Sequence, residues 1–203
     1  MDILSALGRI VPFAFASGVN LYATIAVAGL CARLGLVTLP EQFRVFANGT
    51  VIVVALTMYL VEFIADKVPW VDTAWDAVHT VIRPVGGALV AVVALGDAAP
   101  GTQVVAALVG GSVALTTHLT KAGTRAIVNV SPEPFSNWTL SLAEDLFVVA
   151  LTWFATQHPW LAAAATVVLL AGIVMAGSLL LSAARRRFHA RPRVQRTDTA
   201  GAP

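Results

Sequence analysis

Residues 10–32 read IVPFAFASGVNLYATIAVAGLCA, twenty-three uncharged positions held between Arg9 and Arg33. A helix crossing a bilayer needs about 20 mainly apolar residues, because lipid offers its backbone no hydrogen-bond partner. This run makes one crossing. A second run of the same length, residues 98–120, lies between Asp97 and Lys121, and 39 uncharged residues run from Leu146 to Ala184. Gln157, His158 and Pro159 interrupt the last stretch where a turn divides it into two spans. Val45 to about Asp66 supplies another span, and Pro84–Gly96, extended backwards through the half-polar residues 71–83, supplies a short one. The expectation is an all-α integral membrane protein of about six transmembrane helices.

Composition agrees. Of 203 residues 58% are hydrophobic and 12% charged, with a mean hydropathy of +0.80, against about 25% charged in soluble domains. A net charge of +2 excludes a general nucleic-acid binder, and the single Cys31 excludes an internal disulfide or a cysteine metal cluster. With six spans, eleven of the thirteen Lys and Arg fall on one side and only Arg33 and Arg44 on the other. Basic residues stay on the cytoplasmic side in excess, so both termini are expected there. Residues 185–203, rich in Arg, Pro and Thr, read as a basic, disordered cytoplasmic tail that meets lipid headgroups. Ala14-Phe15-Ala16 imitates a signal-cleavage site, but the apolar run before it is too short and Asp2 spoils the basic flank. Asn48-Gly49-Thr50 and Asn137-Trp138-Thr139 match the glycosylation pattern and read as coincidence.

The chain also repeats itself. Arg33–Phe43 (RLGLVTLPEQF) matches Arg125–Phe135 (RAIVNVSPEPF) at Arg, Pro, Glu and Phe, an offset of 92, and three further matches lie within a few residues of it. Residues 1–98 and 99–184 are therefore expected as two three-helix repeats. Three is an odd number of crossings, so the second copy is inverted, an arrangement common in secondary transporters. Ser17-Gly18-Val19-Asn20 and Gly110-Gly111-Ser112 interrupt the first and fourth spans at matching places. Each is read either as a break into half-helices facing a midplane ligand or as small residues for close packing. Asn20, able both to cap a helix and to contact a solute, is the residue singled out there.

Residues 62–83, EFIADKVPWVDTAWDAVHTVIR, are the densest mixture of acids and bases outside the termini. Glu62 and Asp66 share one helical face; Asp72, Asp76, His79 and Arg83 fall four, three and four apart on another. The second segment is amphipathic and is expected as an interfacial or re-entrant helix between spans two and three. A carboxylate at membrane depth costs about 3 kcal/mol on insertion scales and wants a partner or a wet cavity. His118, Lys121 and Arg125 share one face of the fourth span, with Glu144 and Asp145 at the start of the fifth. Asp72, Lys67, Arg125 and Asp145 read as salt bridges at headgroup level. Candidate residues for binding a solute or ion are Asn20, Glu62, Asp66, Asp76, His79, Arg83, Lys121 and Glu144. A metal role stays open but weakly signalled, because no paired Glu-x-x-His motif occurs, and no cofactor is expected.

The blocks SGVNLYATIAVAGL (17–30), EFIADKVPWVDTAWDAVHTVIRP (62–84) and SPEPFSN (131–137) resemble the signature stretches of a bacterial integral-membrane family, domain of unknown function 4126. The resemblance runs from residue 8 to about 155 and implies a compact, multi-pass protein of the bacterial inner membrane, with no activity attached. Its shared blocks also take in Lys67, Asp72, Glu133 and Asn137. From the residues themselves, the leading expectation is a transporter or channel-like permease for a small solute or ion. Competing readings are an intramembrane enzyme or flippase acting on phosphorylated lipid, and a ligand-free scaffold subunit. Against an enzyme, no GxSxG, HExxH or phosphate-cradling loop is present. The partners expected are the lipid bilayer and a small solute or ion, without nucleic acid; a homo-oligomer is left open.

Overall fold

The computed structural model describes residues 3–37, 41–130 and 134–189. Six helices follow in order: α1 (Ile3–Arg33), α2 (Gly49–Ala65), α3 (Pro69–Leu95), α4 (Pro100–Val128), α5 (Pro134–Gln157) and α6 (Pro159–His189). A short 3-10 helix, Glu41–Ala47, leads into α2, and no strand occurs among the described residues. The helices start where local chemistry favours it. α3 to α6 each open on a proline, whose fixed φ suits the first turn and whose missing N–H has no partner there to lose. α2 is capped by Asn48, whose Oδ1 accepts the N–H groups of Thr50 and Val51 at 2.9 and 3.4 Å.

Among the described residues, five helical stretches are long and apolar enough to cross a bilayer: Leu7–Arg33, Pro69–Leu95, Pro100–Val128, Phe135–Gln157 and Pro159–Leu180. The apolar α2, at 17 residues, sits at the lower end of the spanning range. The expected third span, residues 84–96 extended backwards through 71–83, is α3, whereas the expected interfacial helix needs correction. No separate interfacial or re-entrant helix precedes it; residues 71–83 are the first half of α3, one 27-residue helix that continues through Pro84. Its polar face points inward. Asp72, Asp76, His79 and Arg83 are buried, while Val78, Val81 and Val85 are exposed. The amphipathic pattern is that of a membrane helix turned inside out, with ionic partners inside and lipid outside.

The chain divides into two compact units, Met1–Leu170 and Ala171–Pro203. The boundary expected between repeats, 98/99, lies in the turn from α3 to α4. α6 runs to His189, and the rest of the expected tail, like Glu133, lies outside the described residues. Within the first unit α1 is central, packing on α2, α3, α4 and α5, and the closest pair is α3 with α4.

That pair touches through glycine. A Cβ added to Gly110 would sit 2.3 Å from the Ala91 Cβ, and one added to Gly87 would sit 2.4 Å from that of Ala114. Gly110-Gly111-Ser112 therefore serves close packing, and α4 runs unbroken where a break was one expectation. Ser17-Gly18-Val19-Asn20 differs: Asn20 is extended (φ −152°, ψ 101°), splitting α1 in two.

Gly110→Val is expected to cost about 1–3 kcal/mol through overpacking. Gly123→Ala on the same helix, where nothing lies within 4 Å, should lose nothing and gain up to about 1 kcal/mol from helix propensity. Thermal unfolding in detergent compares them, and equal melting temperatures would contradict the close α3–α4 approach.

Candidate functional site

The break in α1 is where the buried charges meet. Asn20 caps the second segment, its Oδ1 accepting the Ala23 N–H at 2.9 Å, and its Nδ2 donates to Asp145 Oδ1 at 3.2 Å. The first segment ends with carbonyls that no longer serve the helix ladder. Gly18 O accepts Arg83 Nη1 at 3.0 Å and Val19 O accepts Lys121 Nζ at 3.3 Å. The carbonyl end of a helix is its negative end, so both cations sit where the backbone favours them.

Four helices, α2 to α5, bring the side chains together. From α2, Glu62 Oε1 accepts Arg83 Nη2 at 2.6 Å and Lys121 Nζ at 3.2 Å. Lys121 also reaches Asp66 Oδ2 at 3.3 Å and Glu144 Oε2 at 3.7 Å. Arg125 is fully engaged. Nη2 pairs with Asp66 and, at 3.1 Å, with Glu144; Nε reaches Glu144 at 3.1 Å; Nη1 donates to Asp66 O at 2.9 Å and Asn137 Oδ1 at 2.7 Å. Each of the three guanidinium nitrogens has an acceptor.

The histidines stand beside this network with their protons fixed by their neighbours. A guanidinium only donates, so the 3.0 Å contact from Arg83 Nη1 makes His118 Nδ1 an acceptor. The ring proton then lies on Nε2, which faces Asp76 O and Thr80 Oγ1, each at 3.1 Å. His79 donates from Nδ1 to Trp75 O at 2.8 Å, and the neutral ring accepts the Tyr22 hydroxyl at Nε2, 3.1 Å away. Trp75 stacks on the same ring at 4.5 Å.

Of the residues nominated from sequence, Glu62, Asp66, Arg83, Lys121 and Glu144 join in direct contact. Asp76 lies 3.9 Å from Arg83, Asn20 bonds Asp145, and His79 stands to one side. Asp72, Arg125 and Asp145 are buried in the bundle, and Arg125 forms ion pairs with Asp66, Glu144 and, at 3.8 Å, Asp72. The signal was available for Arg125, which shares with His118 and Lys121 the spacing that marks the polar face of α3. Asn129 and Asn137 were not read as part of it; they bond Asp72 at 2.6 Å and Asp66 O at 3.0 Å. Lys67, in the turn outside the spans, donates to Phe63 O at 3.0 Å, and its partial burial lowers its pKa from the ordinary lysine value.

The carboxylates are not all answered. Glu62 Oε2, Asp66 Oδ1, Asp72 Oδ1, Asp76 Oδ1 and Asp145 Oδ2 are buried without a hydrogen-bond partner. Among the described residues no group of three or more His, Cys, Asp or Glu is arranged to hold a metal ion. A cavity of about 170 Å³ opens between the start of α3 and the end of α4, with Asp76 and Arg125 in its wall.

Fold and network define a multi-pass helical membrane protein with a charged interior. The chain belongs to the family described as domain of unknown function (DUF4126), whose profile matches residues 7–178. No curated protein and no solved structure matches it.

Arg125→Ala should cost about 3–5 kcal/mol, because it strands Asp66 and Glu144 in the interior. Asp66→Ala should cost a comparable amount, and the double variant less than the two together. A double-mutant cycle from reversible unfolding in detergent measures this, and strictly additive losses would deny the direct pair.

Proposed function

We propose that this protein is a small permease of the bacterial inner membrane that passes a small solute or ion along its acid-rich network. One observation carries the reading: the interior holds six carboxylates, Glu62, Asp66, Asp72, Asp76, Glu144 and Asp145, against the three cations Arg83, Lys121 and Arg125. Burying paired charges is weak support for stability, since well-packed apolar side chains serve as well or better. Burying unanswered carboxylate oxygens costs about 1–3 kcal/mol each or more. An interior built at such cost, with negative charge in excess, fits a role in meeting a mobile positive partner, a proton included.

The topology proposed with it places both termini in the cytoplasm. Arg83, Lys121 and Arg125 are tied up in the bundle, so they no longer weigh on orientation as free loop cations do. Arg9, Lys67 and the basic tail still outnumber Arg33 and Arg44. The half-helix part of the reading rests on the α1 break alone. A second reading, the ligand-free scaffold, is favoured by the complete engagement of Arg125.

Reconstitution into liposomes with an internal pH-sensitive dye separates the two. Wild type is expected to carry protons or a cationic solute above empty-vesicle leak, with at least tenfold loss in Glu62→Gln and in Asp76→Asn. Equal rates for wild type and both variants, or wild type at the leak, would sink the permease and leave the scaffold.

A further inference from the structure

The sign of the solute can be read from the cavity between α3 and α4. Its polar wall is Thr73, Asp76, Thr80, Arg125 and Asn129, and the remainder is alanine, Ala122 among them. Every donor atom in that wall already has an acceptor. Arg125 donates four hydrogen bonds, to Asp66, Glu144 and Asn137, and its Nη2 also lies 3.1 Å from Glu144. Thr73 Oγ1 donates to Pro69 O and Thr80 Oγ1 to Asp76 O, both at 2.9 Å, and the Asn129 amide points at Asp72 and Pro69 O. What is left over is acceptor: Asp76 Oδ1 and Asn129 Oδ1 accept no hydrogen bond, Asp76 Oδ1 having only Arg83 Nη2 at 3.9 Å, and Asp76 is only 6% exposed. The unmatched buried donors Arg83 Nε and Trp75 Nε1 belong to residues outside this wall.

A wall that offers unanswered acceptors and no free donor repels an anion and receives a donor cation. Its one available carboxylate, with neighbouring hydroxyl lone pairs and an amide oxygen, suits a single ammonium group better than a multivalent metal, which asks for six or more oxygens. The alanine walls leave the rest of the volume apolar. An apolar cavity of about 150 Å³ takes a benzene-sized guest, so this one matches a body of about six heavy atoms. We infer that the cavity between α3 and α4 binds a small organic ammonium ion, its charged head on the Asp76 carboxylate and its alkyl part against Ala122. This deepens the permease reading and rests on it for the passage beyond Asp76.

The test uses the purified full chain in detergent, titrated by calorimetry with n-pentylammonium, and with pentanoate and 1-pentanol as anionic and neutral counterparts. Saturable binding of pentylammonium is expected, at least tenfold tighter than either counterpart. Asp76→Asn should weaken it at least tenfold. Ala122→Leu fills the cavity without touching a charge and should also weaken it at least tenfold while leaving the melting temperature near wild type, so the inference stays testable if Asp76→Asn does not fold. Binding insensitive to Ala122→Leu, equal affinity for pentanoate, or no saturable binding would overturn the site. The liposome assay keeps the two ideas apart: pentylammonium binding with flux at the leak keeps the site and removes the permease, whereas proton or solute flux with no pentylammonium binding removes the site and keeps the permease.

Discussion

Lys121 holds the middle of the molecule. Its ammonium faces Glu62, Asp66 and Glu144 and, on a fourth side, the Val19 carbonyl that α1 releases at its break. In a low-dielectric interior a lone ammonium is very costly, and each of these oxygens reduces that cost. The demand runs outward from there. Asp66 needs Arg125, Glu62 needs Arg83, and Arg83 needs the Gly18 carbonyl, so the position of each of α1 to α5 is tied to one network. Apolar packing in a membrane cannot supply this specificity, since lipid tails are as good a neighbour as leucine.

The close α3–α4 contact is what lets the network form. Glycine at 87 and 110 brings the two backbones together, and Arg83, one turn before Gly87, thereby reaches His118 on the facing helix. Beyond that contact, between the start of α3 and the end of α4, the cavity opens.

Much of this was legible in the sequence. Uncharged runs bounded by Arg9, Arg33, Asp97 and Lys121 located α1 and α4, and the i, i+3, i+4 spacing of 72, 76, 79 and 83 marked a face that is indeed shared. What spacing could not tell was which way that face points. A soluble amphipathic helix and a membrane helix with an ionic interior have the same period, and only the partner helices decide between them. Spacing also did not show how Arg125 and Asp72 are covered: Asn137 and Asn129 fold back onto them. Gly-Gly-Ser and Ser-Gly-Val-Asn likewise looked equivalent as strings. Their difference is that Asn20 carries a side chain able to cap Ala23, and glycine carries none.

That difference follows the chemistry each half contributes. α2 and α3 supply four acids to the network and one arginine, α4 supplies Lys121 and Arg125, and α5 returns with Glu144 and Asp145. Where cations arrive, bare carbonyls are useful, and α1 opens its backbone to provide them at Gly18 and Val19. α4 brings the cations themselves, and Gly110-Gly111-Ser112 lies nine or more residues, about 14 Å of helix, before Lys121. An interrupted α4 would gain no contact and lose its ladder bonds, whereas an interrupted α1 exchanges ladder bonds for charge-assisted ones of greater strength. The asymmetry in backbone is therefore a consequence of the asymmetry in charge, whatever the ancestry of the two halves.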